Sequence, residues 1–507
     1  MSHPVGFFYF SRGLNFFSST VIAILSLLFF IDSVCAVSAN RPWLPSLSSF
    51  EHYNSGRSHV FPKAIFGGSY KKKNRVRIVK SKPIYPSGYN MCYLDHRRVF
   101  IYGGGYGDDA GSIGAFVAQV DPRTLEPIWY HQLIDTQKNG QWDYPGSLGI
   151  LQDGYLYVSY GYRLSKLDAR TGRLITTLEL PTGGALPENT SFNGFNATAD
   201  GTIVMKSVYR QAGCTEQGPD ALLDCPDPQD VPPSILVSIN PITMQVIESI
   251  TLPAPVGARP TIGRFQGREY VYLLESTTAI RYEIVKGQFI LDHEWNPGTI
   301  TSPGQTLCTS FSVMNDWVVA QTNTLPASTP LDVIAINQGD ASKLYKKQPF
   351  LGDPIPPLLK AAFSTQGPGG TEAVSWAPMS LSVDPENDLI YASDALPGKI
   401  AALKMSAEKL EIVWTANQRT TEFTALIGPK KRRVLVGTHI PGFEIPGQNK
   451  HDFAIWREAK TGRELARSPL LPAMTQGTMI QPFYKGNLFY EGAAGNLIKL
   501  IPKAKGV

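Results

Sequence analysis

Eight polar residues of this chain stand just ahead of, or at the start of, apolar alternating segments: Asn90, Asp143, Asn193, Arg259, Gln305, Glu372, Glu422 and Gln476. Glu372 and Glu422 have metal chemistry. Converging carboxylates offer hard oxygen ligands to calcium, and two desolvated side by side repel unless a cation or a proton sits between them. Arg259 carries a planar fork suited to pairing with a carboxylate or gripping an anionic substrate. With Asn90, Asp143, Asn193, Gln305 and Gln476 it forms the expected ligand-binding set. The plainer reading makes all eight hydrated liners and bridges between neighbouring structural units. Histidines are few. His131 and His293 are placed on outermost strands. His439, in a loop after Val434–Thr438, is the histidine best placed to act as a general base. The chain has no Gly-x-Ser-x-Gly elbow and no paired metal-binding histidines.

The elements that must position these residues announce themselves by a recurring phrase. It reads Val120-Asp-Pro-Arg-Thr124, Leu167-Asp-Ala-Arg-Thr-Gly172, Ile239-Asn-Pro-Ile-Thr243 and Arg457-Glu-Ala-Lys-Thr-Gly462. Each copy lies between two apolar alternating runs and so reads as strand, tight turn, strand. Such a hairpin buries one face and needs neighbours on both sides. The expected fold is therefore all-β, a single β-propeller of four-stranded blades, with the polar residues above at the mouth of its central channel.

Counting alternating runs gives eight units, the last ending at Asn496–Ile501 without an outer strand. Arg75–Val79 has no partner of its own. Pairing it with Leu497–Ile501 completes the eighth blade and removes two open sheet edges at once. Seven blades are the alternative if one unit has been split in two. The expected organisation is 1–36 as a signal peptide or N-terminal anchor, 37–73 as an irregular leader, of which removal of 37–65 should matter little to the fold, and 74–507 as the propeller. The stretch from Leu351 to Gly370 is a long inter-strand insertion, and Tyr70–Lys80 a charged, solvated edge.

The phrase apolar-Asp-x-x-Thr-Gly, most complete at Leu167–Gly172, resembles the repeat of the quinoprotein alcohol dehydrogenases and their non-catalytic relatives. Val120–Trp129 adds the tryptophan of that pattern. The resemblance implies an eight-bladed ring and, in catalytic members, pyrroloquinoline quinone held above calcium on a disulfide between adjacent cysteines. This chain has no adjacent cysteine pair, no matching Glu, Asn and Asp set, and no Cys-x-x-Cys-His for heme. The resemblance carries the fold and not the activity.

A formal charge of +5 over 507 residues, with no basic recognition motif, argues against a nucleic-acid partner. Phe16–Ile31 is apolar, follows Arg12 and ends before Val34-Cys-Ala36, the pattern of an export signal. Its retention would tether the protein to a membrane. Export favours oxidation, so Cys214 and Cys225, flanking a Gly, Pro and acid-rich loop, are expected to form a disulfide, with Cys92 and Cys308 free. Two functions follow. One is an exported, periplasmic or secreted monomer that binds a small molecule or protein on a rigid ring. The other is an oxidoreductase or hydrolase using calcium or a quinone at the channel mouth.

Overall fold

The hairpin phrase folds as its residue types require. Asp168 Oδ1 accepts the backbone N–H groups of Arg170 at 2.7 Å and Thr171 at 3.2 Å, and Asn240 does the same for Ile242 and Thr243. The residue after the threonine is left-handed in every copy: Leu125, Gly172, Met244 and Gly462 have φ of 65°, 76°, 52° and 71°. Glycine adopts that conformation freely, whereas leucine and methionine hold it at a cost of about 1 kcal/mol. Where glycine is present, a tryptophan from the preceding blade lies on it. A Cβ on Gly172 would come within 2.5 Å of Trp129, and one on Gly462 within 2.7 Å of Trp414. The turns thus stitch blade to blade.

The protein is described by a computed structural model that covers residues 42–105, 113–222, 225 and 231–505. The export segment expected over 1–36 lies outside the described residues. Among them no helix is long and apolar enough to cross a membrane. The architecture is an eight-bladed β-propeller with four antiparallel strands per blade. The innermost strands are Gly88–Tyr93, Ser147–Ile150, Thr190–Ala197, Thr261–Phe265, Ser312–Met314, Ser382–Asp384, Ala425–Ile427 and Gln481–Pro482. Apolar faces of adjacent blades pack on each other, with Met91, Ile101, Phe489 and Leu500 in one such layer. Blade seven carries two extra short strands, Val60–Phe61 and Leu471–Pro472.

Ring closure is as expected. Asn74–Pro83 is the outer strand of blade eight, antiparallel to Asn496–Ala504, with Arg77 opposite Ile501 and Val79 opposite Lys499. Its outward residues are charged and exposed, which blunts the edge. Cys214 and Cys225 are bonded, with Cα atoms 5.8 Å apart, between the second and third strands of blade three, and Cys92 and Cys308 are buried and free. The insertion after Leu351 connects blade five to blade six and contains a short helix, Pro357–Ala362.

The leader is irregular, as expected, but far from peripheral. Residues 43–61 lie inside the ring and touch the inner strand of every blade. Tyr93 donates to the Ser48 carbonyl, Ile150 to Ser49, Ile262 to Ser55, Val313 to Gly56, Val383 to Ser58 and Leu426 to His59. Asn196 reaches the Ser55 carbonyl at 2.7 Å, and Gln481 reaches Ser48 Oγ at 2.5 Å. The physical reason is that each innermost strand turns an unpaired edge toward the axis, and those N–H groups need acceptors. A chain coiled down the axis supplies them in turn. Tyr53, Arg57 and His59 are left-handed, at φ of 72°, 55° and 61°, which lets the segment coil so tightly. These contacts run against the expectation that removing residues 37–65 should matter little to the fold.

Candidate functional site

The channel centre is built from two predicted residues and a group of leader residues. Arg259, just before the inner strand of blade four, reaches across the axis. Its Nη1 donates to Glu51, and its Nη2 donates to Tyr89 Oη at 3.2 Å and to the Pro145 and Gly146 carbonyls at 3.0 Å each. Asn90 donates to the other Glu51 oxygen. Gly194, at φ 117°, makes room, since a Cβ there would sit 3.2 Å from Arg259 Nε. His52 Nε2 lies 3.0 Å from Glu51 and 2.7 Å from Arg57 Nη2, and its ring stacks on His59 at 4.7 Å.

Electrostatics follow from that packing. Burial alone would raise the Glu51 carboxyl, but Arg259, His52 and Arg57 together hold it well below the carboxylate range. Burial, then Arg57, pushes His52 down to about 4. Burial lowers Arg57 to about 9. The centre is a buried network in which one carboxylate, Glu51, meets two guanidiniums, Arg259 and Arg57, and a neutral His52, so one positive charge is left over. The sequence reading found Arg259 and Asn90 but missed Glu51, His52, Arg57 and His59, which lie in a segment without strand periodicity. The available signal was the density of aromatics and histidines in that segment.

The other predicted residues are dispersed. Asn193 donates to the Gly257 carbonyl at 2.9 Å, and Asp143 accepts from the backbone of Ala115 and Gly161, joining two blades. Gln305 bridges Ser302, Pro330 and Asp332. Gln476 is half-buried ahead of the last inner strand. The two carboxylates assigned to a cation have separate surroundings. Glu422 is buried, and its oxygens accept from the hydroxyls of Thr420, Thr421 and Thr438 at 2.6 to 3.1 Å. Glu372 is half-buried, pairs with Lys360 at 3.2 Å, and lines a cavity of about 540 Å³ under the insertion. Among the described residues no three His, Cys, Asp or Glu side chains converge as a metal site. His439 ends a strand instead of lying in a loop, and burial, then Arg467, Arg419 and Arg457, lowers it to about 4. His131 is on an outermost strand as expected, and His293 falls just beyond one.

No family model and no curated protein matches the chain. Solved structures do. The quinohemoprotein alcohol dehydrogenase from Comamonas testosteroni is similar with a TM-score of 0.57 at 11% identity, over 89% of this chain and 80% of that one. Quinohemoprotein alcohol dehydrogenase ADHIIG from Pseudomonas putida HK5 gives 0.56 at 11%, over 93% and 81%. A europium-containing methanol dehydrogenase gives 0.50 at 8%, over 88% and 87%. At such identities the likeness shows the propeller fold alone.

Proposed function

We propose that this chain is an exported β-propeller that acts as a ligand-binding or interaction scaffold, with the polar centre of its channel serving structure. The observation that carries this reading is the engagement of Arg259. The guanidinium that would grip an anionic substrate is held by Glu51 of the same chain, by two carbonyls and by Tyr89. Export is supported by the Cys214–Cys225 bridge, which oxidising compartments favour.

The alternative is an oxidoreductase or hydrolase with a quinone or calcium at the channel mouth, and it rests on the fold likeness. The residues at hand do not fit that pair. The Glu422 oxygens already accept hydroxyl and backbone donors, Glu372 has an ion pair elsewhere, and the free cysteines Cys92 and Cys308 belong to different blades. Purified protein incubated with calcium and pyrroloquinoline quinone, then gel-filtered, is expected to retain no stoichiometric quinone absorbance and to melt at an unchanged temperature. A retained quinone band with alcohol-dependent dye reduction would overturn the scaffold reading.

A further inference from the structure

On the rim between blades six and seven lies a cavity of about 420 Å³ lined by Pro354, Pro397, Lys399, Asn417, Arg419 and His439, with Gly398, Ile440 and Gly442 completing it. Its lining holds three nitrogen bases and no carboxylate. Arg419 is only 7% exposed. Nε donates to the Ala395 carbonyl at 3.2 Å and Nη1 to that of Gly442 at 3.0 Å. Among the described residues Nη2 has no hydrogen-bond partner and the guanidinium has no carboxylate. Burial alone lowers its pKa. A buried cation answered only by carbonyl dipoles is costly unless an anion joins it. Gly398, at φ 68°, lets the backbone lie flat on this group, since a Cβ there would meet Nη2 at 3.2 Å.

His439 adds a second donor. Its Nδ1 accepts the Arg419 backbone N–H at 3.0 Å, which leaves the proton of the neutral ring on Nε2. Arg467, Arg419 and Arg457 face this ring, opposed by Glu464, itself taken by Arg467 at 2.8 and 3.0 Å. Lys399, also in the lining, lies 3.4 Å from Asp353. Pro354 and Pro397 also line the neighbouring 540 Å³ cavity, whose walls include Phe350, Ile355 and Val374 together with Asp353, Glu372 and Asp394 and a single cation, Lys360, which is paired with Glu372. A second anionic group would meet those carboxylates.

We propose that this rim cavity binds an organic anion with one carboxylate or phosphate head. The head sits between Arg419 and His439, and an uncharged body runs past Pro354 and Pro397. This deepens the binding reading above and rests on it. The full chain, labelled for NMR at histidine, is titrated with acetate, inorganic phosphate and hexanoate, with chloride as the ionic-strength control. The expected result is a saturable shift of the His439 ring signals and a rise of its pKa above about 4. Hexanoate tighter than acetate places the body in the second cavity, and phosphate alone binding identifies a phosphate head. Arg419→Lys, which keeps the charge and loses the fork, should weaken binding about tenfold or more. Lys399→Gln, which leaves the Arg419 contacts in place, should weaken it less. No saturable shift with any probe overturns the site, as does unchanged affinity in a folded Arg419→Lys protein. The quinone experiment is indifferent to that failure, so the scaffold reading and this site fall separately.

Discussion

Asp143 and Asp394 show how single carboxyls set the chemistry of this ring. Each is buried, and burial pushes each up to about 7 against donors that pull the other way, the backbone of Ala115 and Gly161 for Asp143, and the Ser375 hydroxyl with the backbone of Trp376 and Leu396 for Asp394. An acid raised in the folded state binds more protons there than in the unfolded chain, so stability is greatest while it is protonated. It declines as pH rises from about 4 to about 7. His52 and His439, lowered to about 4, act oppositely, losing stability as pH falls from about 6.5. The test is therefore a difference. In urea unfolding, an Asp143→Asn, Asp394→Asn protein should gain on the native protein between pH 4 and pH 7, by about 1 kcal/mol or more per carboxyl. A constant difference across that window would show that neither carboxyl titrates there.

At the scale of elements, what could be read from the sequence is what repeats or is local. The Asp168 and Asn240 turns, the Arg75–Val79 closing strand and the Cys214–Cys225 loop all carry their reason within a few residues. The leader does not. Its partners, among them Tyr93, Ile262, Val313, Val383 and Leu426, are spread over the whole chain, and each contributes one hydrogen bond. No periodicity marks such a segment, so Glu51 and His52 read as loop residues, and the carboxylate that pairs with Arg259 was not found there. The same blindness hid the separation of Glu372 from Glu422, since adjacent blades need not bring their loops together. A chain begun at residue 67 would leave Arg259 buried without its carboxylate, a loss of about 3–5 kcal/mol. It would also lose Trp43, Phe50 and Phe61, each contributing about 1.5–3 kcal/mol by burial. The expected outcome is a chain that fails to fold or unfolds at much lower urea. An unchanged midpoint would make the leader a passenger.

The whole molecule is a ring held at its circumference and at its axis by segments from one end of the chain. Deleting residues 74–80 should lower the melting temperature sharply, because it strips the outer strand from blade eight and reopens the ring. A melting curve left intact would mean that the leader alone keeps the ring closed. Both fastenings come early in the sequence and both need late partners: the axial segment reaches Gln481, and the closing strand pairs with Asn496–Ala504. Contacts of such separation are entropically expensive to form and slow to find. The axial segment can gather its partners blade by blade, from Tyr93 to Leu426, but the closing strand has none until Asn496–Ala504 has been made. Individual blades can assemble in the meantime, but the ring cannot lock. The ring stays open until Asn74–Pro83 and Asn496–Ala504 meet, and that pairing seals it.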